Sequence, residues 1–121
     1  AMREYVSAAA DGFAGQQQLL GYGAAHRTSF LISVFRLQQA IDYVVDKNPN
    51  YHGKYVGGSS IQIRSPALLE QQQGRDILLF ALSYEDEILK ENLRTAGRNR
   101  FISLRSTPPA PIDVMDRLSR R

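Results

Sequence analysis

Apolar residues along this chain gather into short runs separated by glycine and proline, and the runs alternate between strand-like and helical periodicity. Leu19-Leu20-Gly21-Tyr22-Gly23 is a brief apolar run stopped by glycines; Phe30, Leu31, Val34, Phe35 and Leu37 then recur at helical spacing from Thr28 to Gln39. The pair predicts a strand, a tight turn and a helix. The next run, IDYVV over 41–45, is β-branched and ends at Asp46, which makes it the second strand of a βαβ unit. From Asp46 to Ser60, the sequence Asn48-Pro49, Gly53 and Gly57-Gly58 is too dense in turn formers for a regular element, so a long shaped loop is expected.

Ile61–Ile63 reads as a small strand. Ser65 can cap the next helix and Pro66 can open it, because a proline at the first helical position gives up no hydrogen bond; that helix is expected over Ala67 to about Gln72. After Gly74 the run from Asp76 to Ala81 is continuously apolar, as in a strand covered on both faces and therefore central and parallel. Ser83-Tyr84-Glu85-Asp86 then opens a helix, with Ser83 as cap and three exposed acids complementing the positive end of the helix dipole. Tyr84, Ile88, Leu89 and Leu93 form its expected buried face, and Gly97 its end. Phe101–Leu104 is the last strand.

Alternating strands and helices with short connections predict an α/β fold: a small Rossmann-like parallel sheet with helices on both faces. The expected organisation is an alanine-rich helix and linker over 1–16, the α/β domain over 17–105, and a Pro-rich basic tail over 106–121. In that tail Pro108-Pro109-Ala110-Pro111 breaks regular structure, and Val114, Met115 and Leu118 allow a short terminal helix. No internal repeat is present. In such sheets ligands bind beyond the carboxyl ends of the strands, where the strand order reverses; Gly23, Asp46 and Ser83 all fall at that edge.

Composition narrows the chemistry. At 121 residues the chain is long enough for one real core. It has no cysteine, which excludes disulfide scaffolds, thiol nucleophiles and cysteine-bound zinc or iron–sulfur clusters. Residues 1–17 lack the unbroken apolar core of a signal peptide, and no run reaches the roughly 18 residues of a membrane span, so the expected location is cytoplasmic with no membrane partner. Six of the basic residues lie between Arg98 and Arg121 against only Asp113 and Asp116. The excess of positive charge is thus in the tail, and no basic stripe with interleaved aromatics points to specific nucleic-acid binding.

The strongest candidate site is the turn Gly23-Ala24-Ala25-His26-Arg27-Thr28-Ser29, where a strand hands over to a helix. Free main-chain amides at a helix start favour an anionic phosphate, and Arg27 would add a charged fork. The alternative is a βα turn that merely needs small residues, since Arg27 and Thr28 stand where a dinucleotide fingerprint has a further glycine. Asp46, with Asn48, is placed to accept hydrogen bonds from a sugar or ribose, or to cap the turn before Pro49. Ser83 and Tyr84 follow the central strand, with Tyr84 offering a flat face and a hydroxyl. His26 and His52 have no carboxylate at metal-ligand spacing, so no metal is expected. The serines have no base within a recognisable context, so no catalytic residue is assigned.

Several of these pieces occur in a familiar order: Gly21-Tyr22-Gly23-Ala24, Val44-Val45-Asp46-Lys47-Asn48-Pro49, Gly53-Lys54-Tyr55, Ile61-Gln62-Ile63, Ser65-Pro66 and Tyr84-Glu85-Asp86-Glu87-Ile88. Over residues 17–104 the chain resembles the C-terminal domain of the S-adenosylmethionine-dependent sugar C-methyltransferases. It departs from the family's usual lysine–glycine pair at Arg27-Thr28, and from its Trp-Asn at Leu82-Ser83. The resemblance implies a module that holds a nucleotide-linked sugar, while S-adenosylmethionine is bound by a separate methyltransferase domain upstream. The family's cysteine cluster and donor-binding motif are both missing from this sequence, so the expectation is a C-terminal piece of a larger enzyme, or a free-standing relative without catalysis. Two rival expectations are a small nucleotide-dependent transferase and a structural domain that assembles as a homo-oligomer around an empty site.

Overall fold

Strand β1 (Leu19–Tyr22) lies inside the sheet, flanked on one side by β2 (Ile41–Val45) and on the other by β4 (Asp76–Leu79). The computed structural model describes residues 19–24, 26–105 and 109–119, with only the backbone of His26. The alanine-rich segment at 3–13 and tail residues 106–108 lie outside the described residues. With β3 (Gln62–Arg64), β5 (Arg100–Ser103) and β6 (Ala110–Pro111) the described residues form one six-stranded sheet, ordered β3-β2-β1-β4-β5-β6. Every pairing is parallel except β5 with β6. This is the α/β architecture that the alternation of runs predicts.

Each strand feeds two cores, because successive side chains point to opposite faces. Leu19, Ile41, Val44, Ile63, Leu78, Phe80 and Ile102 pack on one face under helix α1 (His26–Val34). Leu20, Tyr22, Tyr43, Val45, Ile77, Leu79 and Phe101 pack on the other, under Leu69 and under Ile88 and Leu89 of α2 (Glu85–Glu91). In IDYVV strict alternation fails: the register jumps from Leu19–Ile41 to Leu20–Tyr43, so Asp42 is an extra residue bulged out of the ladder. Its carboxylate pairs with Arg75 at 3.1 Å.

Helix α1 spans 26–34 rather than 28–39. Leu37 N–H donates to Ile32 O and Arg36 N–H to Ser33 O, with Arg36 at φ 56. This is a Schellman stop in which arginine occupies the left-handed position usually given to glycine, and buried Leu37 and Ile32 make the accompanying apolar contact. The segment after β3 is a 3₁₀ helix over Pro66–Gln71, with Ser65 Oγ accepting from Ala67 N–H as expected. The expected helix from Ser83 is revised further. A 3₁₀ turn covers Leu82–Tyr84 with no side-chain cap, and the α-helix begins at Glu85. It breaks at Asn92, whose amide turns back onto Ile88 O at 2.7 Å, before α3 (Leu93–Arg98). Tyr84, in the 3₁₀ turn, and Leu93, just after the break, are 58% and 51% exposed, and α3 runs through Gly97 to a cap at Asn99.

The acids expected to be exposed are split. Glu85 is 1% exposed; its Oε2 accepts from Ser103 Oγ at 2.8 Å and its Oε1 pairs with Arg117 at 3.2 Å. Arg117 belongs to α4 (Val114–Ser119) and also reaches Asp86 at 3.4 Å. Burial alone would lower the Arg117 pKa, but its hydrogen bonds to Glu85 and Asp86 outweigh that and raise it. The tail is therefore docked: β6 pairs with β5, and Ile112 N–H donates to Phe101 O. Both borders of the sheet are covered. Beside β3, Lys54 O accepts from Ile63 N–H, Val56 N–H donates to Ile61 O, and Tyr55 bridges Gln62; at the far side β6 is two residues long and ends in a proline.

A Cβ added to Gly21 would lie 2.5 Å from the Phe80 ring. Gly21→Ala is expected to destabilise the fold by about 1–3 kcal/mol, the usual cost of overpacking a core, and Phe80→Leu in the same chain to recover part of it, read by urea unfolding. Arg117→Ala leaves buried Glu85 without its cation. Because Arg117 is one-third exposed, the cost is expected below that of breaking a fully buried pair, about 1–3 kcal/mol, with Arg117→Lys losing less in thermal melts.

Candidate functional site

The carboxyl ends of β1 and β4 are drawn together by backbone alone. Tyr22 O accepts from both Phe80 N–H and Ala81 N–H, at 2.9 and 3.2 Å, while Gly23 N–H donates to Val45 O at 2.8 Å on the other side. Gly23 sits at φ +110, and a Cβ there would lie 2.9 Å from the Ala81 nitrogen. Only glycine meets both conditions. From this turn the chain enters α1, and Thr28 Oγ1 donates to Gly23 O at 2.6 Å, pinning the first helical turn to the strand end.

Asp46, at the end of β2, ties the turn to the following loop. Its Oδ2 accepts from Ala24 N–H and its Oδ1 from Asn48 N–H, both at 2.9 Å, and its own carbonyl lies 2.6 Å from His52 Nε2. Two amides expected to face an anion, those of Gly23 and Ala24, are thus already bonded to Val45 and to this carboxylate. The correction has a simple cause: the protein supplies its own anion to the turn. Asp46 also fulfils the turn-capping alternative. Asn48 is engaged locally, its side chain accepting from Asn50 N–H to cap the 3₁₀ turn Pro49–Tyr51.

Beside this turn a cleft of about 340 Å³ opens between β1, β4 and α2. Tyr22, Phe80 and Ile88 form its apolar interior; Asp46, Lys47, Tyr84, Glu87 and Glu91 supply its polar groups. Lys47 Nζ and Glu91 Oε2 meet at 2.7 Å, joining the loop after β2 to α2. Of the expected site residues, the structure brings Gly23, Ala24, Thr28, Asp46 and Tyr84 to this cleft. Arg27 and Ser83 do not line it, nor does Asn48. Ala25 and the His26 side chain lie outside the described residues. Ser29 lines a second groove that shares Ala24 with the cleft, and its hydroxyl donates to Gly57 O at 3.0 Å.

Sequence reasoning missed Tyr22, Lys47, Glu87 and Glu91. Tyr22 lies in the same GYG run that marks the turn; Lys47 and Glu91 are 44 positions apart and had no local signal. Burial pushes the Tyr22 hydroxyl above its ordinary pKa, opposed by a hydrogen bond with the Asn92 side chain. Lys47 is raised by its hydrogen bond to Glu91 and by that carboxylate's charge. Lys47 is the cation among the described lining residues, beside three carboxylates. Such a set accepts hydrogen bonds from hydroxyls and offers one ammonium, but supplies no serine or histidine pair for nucleophilic chemistry. Among the described residues, no group of three histidine or acidic side chains is placed to hold a metal, and no helix is long and apolar enough to cross a membrane.

Tyr22 and Tyr43 are both raised chiefly by burial, so their neutral forms stabilise the fold. Below pH 10, where the unfolded tyrosine is also protonated, this contribution is constant; as pH rises past about 10 the unfolded chain releases these protons first and stability falls. Spectrophotometric titration is expected to show late tyrosinate formation, and Tyr22→Phe to remove one late step and lessen the alkaline loss of stability.

A search of curated proteins gives no match for this chain. A family model described as the C-methyltransferase C-terminal domain matches residues 2–104, beginning ahead of the segment in which the motifs are recognised.

Proposed function

Because the chain belongs to the family of C-methyltransferase C-terminal domains, we propose that it is a substrate-holding module that binds a nucleotide-linked sugar and has no catalytic centre of its own. The observation that supports this best is the cleft at the reversal of strand order, where Asp46, Glu87 and Glu91 surround Lys47 over an apolar interior. Carboxylates converging on a small cleft suit a ligand rich in hydroxyl donors, and Lys47 suits its phosphate end. In this reading Lys47 takes the role first expected of Arg27, which stands outside the cleft.

S-adenosylmethionine, held by a methyltransferase domain elsewhere in the parent enzyme, would supply the methyl group. The residues of this domain bind and orient the acceptor. A sugar fixed among Tyr22, Asp46 and Glu91 would present its carbon to the neighbouring domain with its translational freedom already removed. The Lys47–Glu91 pair must exchange partners on binding, since an incoming phosphate competes with Glu91 for the ammonium.

A second reading, a structural domain with an empty site, is favoured by one observation, the Asp46 carboxylate that already satisfies the Ala24 amide. Calorimetric titration separates the two. Under the substrate-holding reading, uridine or deoxythymidine diphosphate glucose is expected to release heat, Lys47→Ala to weaken binding about three- to tenfold, and S-adenosylmethionine to be silent. Silence with every sugar nucleotide, or tight binding of S-adenosylmethionine, would overturn it.

A further inference from the structure

Six large hydrophobic side chains are exposed among the described residues, and three of them, Phe30, Tyr51 and Tyr55, border one groove of about 560 Å³. Phe30 is 64% and Tyr55 57% exposed. Exposed apolar residues scattered singly need no explanation, whereas a cluster in one concavity marks a binding surface. The groove adjoins the carboxylate cleft at Ala24, which lines both.

The backbone that carries each ring is fixed by hydrogen bonds of the fold. Phe30 rides on α1, and Ser29, its neighbour, ties that helix to the loop through Gly57 O. Tyr51 sits in the 3₁₀ turn capped by Asn48. Tyr55 is on a strand-like stretch bonded to the sheet border, between Ile63 N–H donating to Lys54 O at 2.8 Å and Val56 N–H donating to Ile61 O at 2.9 Å. Val56 is buried and anchors that stretch from below.

The two cavities differ in charge. No acidic residue lines the aromatic groove; its one charged lining residue is Lys54, exposed and without an ion pair among the described residues. Flat π faces beside a single ammonium suit an uncharged planar ring that carries an anionic tail. The cleft across Ala24, with three carboxylates, suits the hydroxyl-rich end.

We infer that the groove of Phe30, Tyr51 and Tyr55 is the nucleobase subsite of the ligand, with the diphosphate passing Ala24 from Lys54 towards Lys47 and the sugar lying in the cleft of Asp46 and Glu91. The inference rests on the substrate-holding reading and adds to it a direction for the ligand and a stacking platform.

The test uses the 121-residue chain with three probes: uridine diphosphate glucose, uridine diphosphate, and glucose 1-phosphate, which has no base. Phe30→Ala with Tyr55→Ala, both exposed, is expected to weaken the two uridine compounds about tenfold or more, as base–aromatic stacking implies, and to leave glucose 1-phosphate unchanged. Tyr55→Phe, which keeps the ring, is expected to retain binding. Uridine diphosphate glucose binding equally to both forms would overturn the nucleobase assignment while leaving the substrate-holding reading intact; equal weakening of glucose 1-phosphate would also overturn the assignment. No binding of any nucleotide would overturn both. A dimer in sedimentation that the double variant splits, with nucleotide affinity unaltered, would show that the rings cover a second copy and overturn the inference.

Discussion

The end of β1 is gripped from both sides by main chain, and the rest of the site follows from that grip. Tyr22 O takes two amides from the β4 side and Gly23 N–H gives one bond to β2, an approach so close that Gly23 has no room for a side chain, just as the Phe80 ring leaves none at Gly21. The connections leaving this point diverge. One rises through α1 on one face of the sheet; the other returns through Pro66–Gln71 on the opposite face before entering β4. Two excursions in opposite senses leave an uncovered space above the strand ends, and binding clefts in open α/β sheets arise there.

Asp46 converts that geometric gap into two chemically distinct compartments. By bonding Ala24 and Asn48 at once it fixes the turn and the loop after β2 as one unit, so the walls on either side of Ala24 keep a constant relation. Acidic groups line only the first of these compartments, whereas aromatic rings line both.

Strand positions were legible because buried parallel strands leave continuous apolar runs: IDYVV, the run from Asp76 and the run from Phe101 each lie within two residues of the observed strand. Gly23 was legible as a turn because its neighbours stop the apolar pattern. What escaped was decided by partners remote in sequence. Helix α1 ends on an arginine at φ 56, where buried Leu37 and Ile32 reward the stop, and nothing local distinguishes Arg36 from a helical residue. Glu85 looks like any acid of a first helical turn until Ser103 and Arg117 arrive to bury it. Within the site, Asp46, Thr28 and Tyr84 were found through their place at the strand edge. Tyr22 and the Lys47–Glu91 pair were not, since one passes for a strand core residue and the other joins segments that only the sheet brings together. Phe30 shares the helical spacing of Phe35 and Leu37, which are buried, and nothing in that spacing marks it as the exposed member that lines the groove.

The two finished borders of the sheet bear on how this unit joins others. At one border the stretch around Tyr55 already occupies the hydrogen-bonding groups of β3; at the other, Pro111 has no N–H to offer. Strand addition, a common way for a sheet to recruit a peptide or template its own polymerisation, therefore finds neither β3 itself nor an N–H at Pro111 open to it. Contacts made through side chains and loop ends are of another kind, since surface substitution can remodel them without disturbing the hydrogen-bonded ladder beneath.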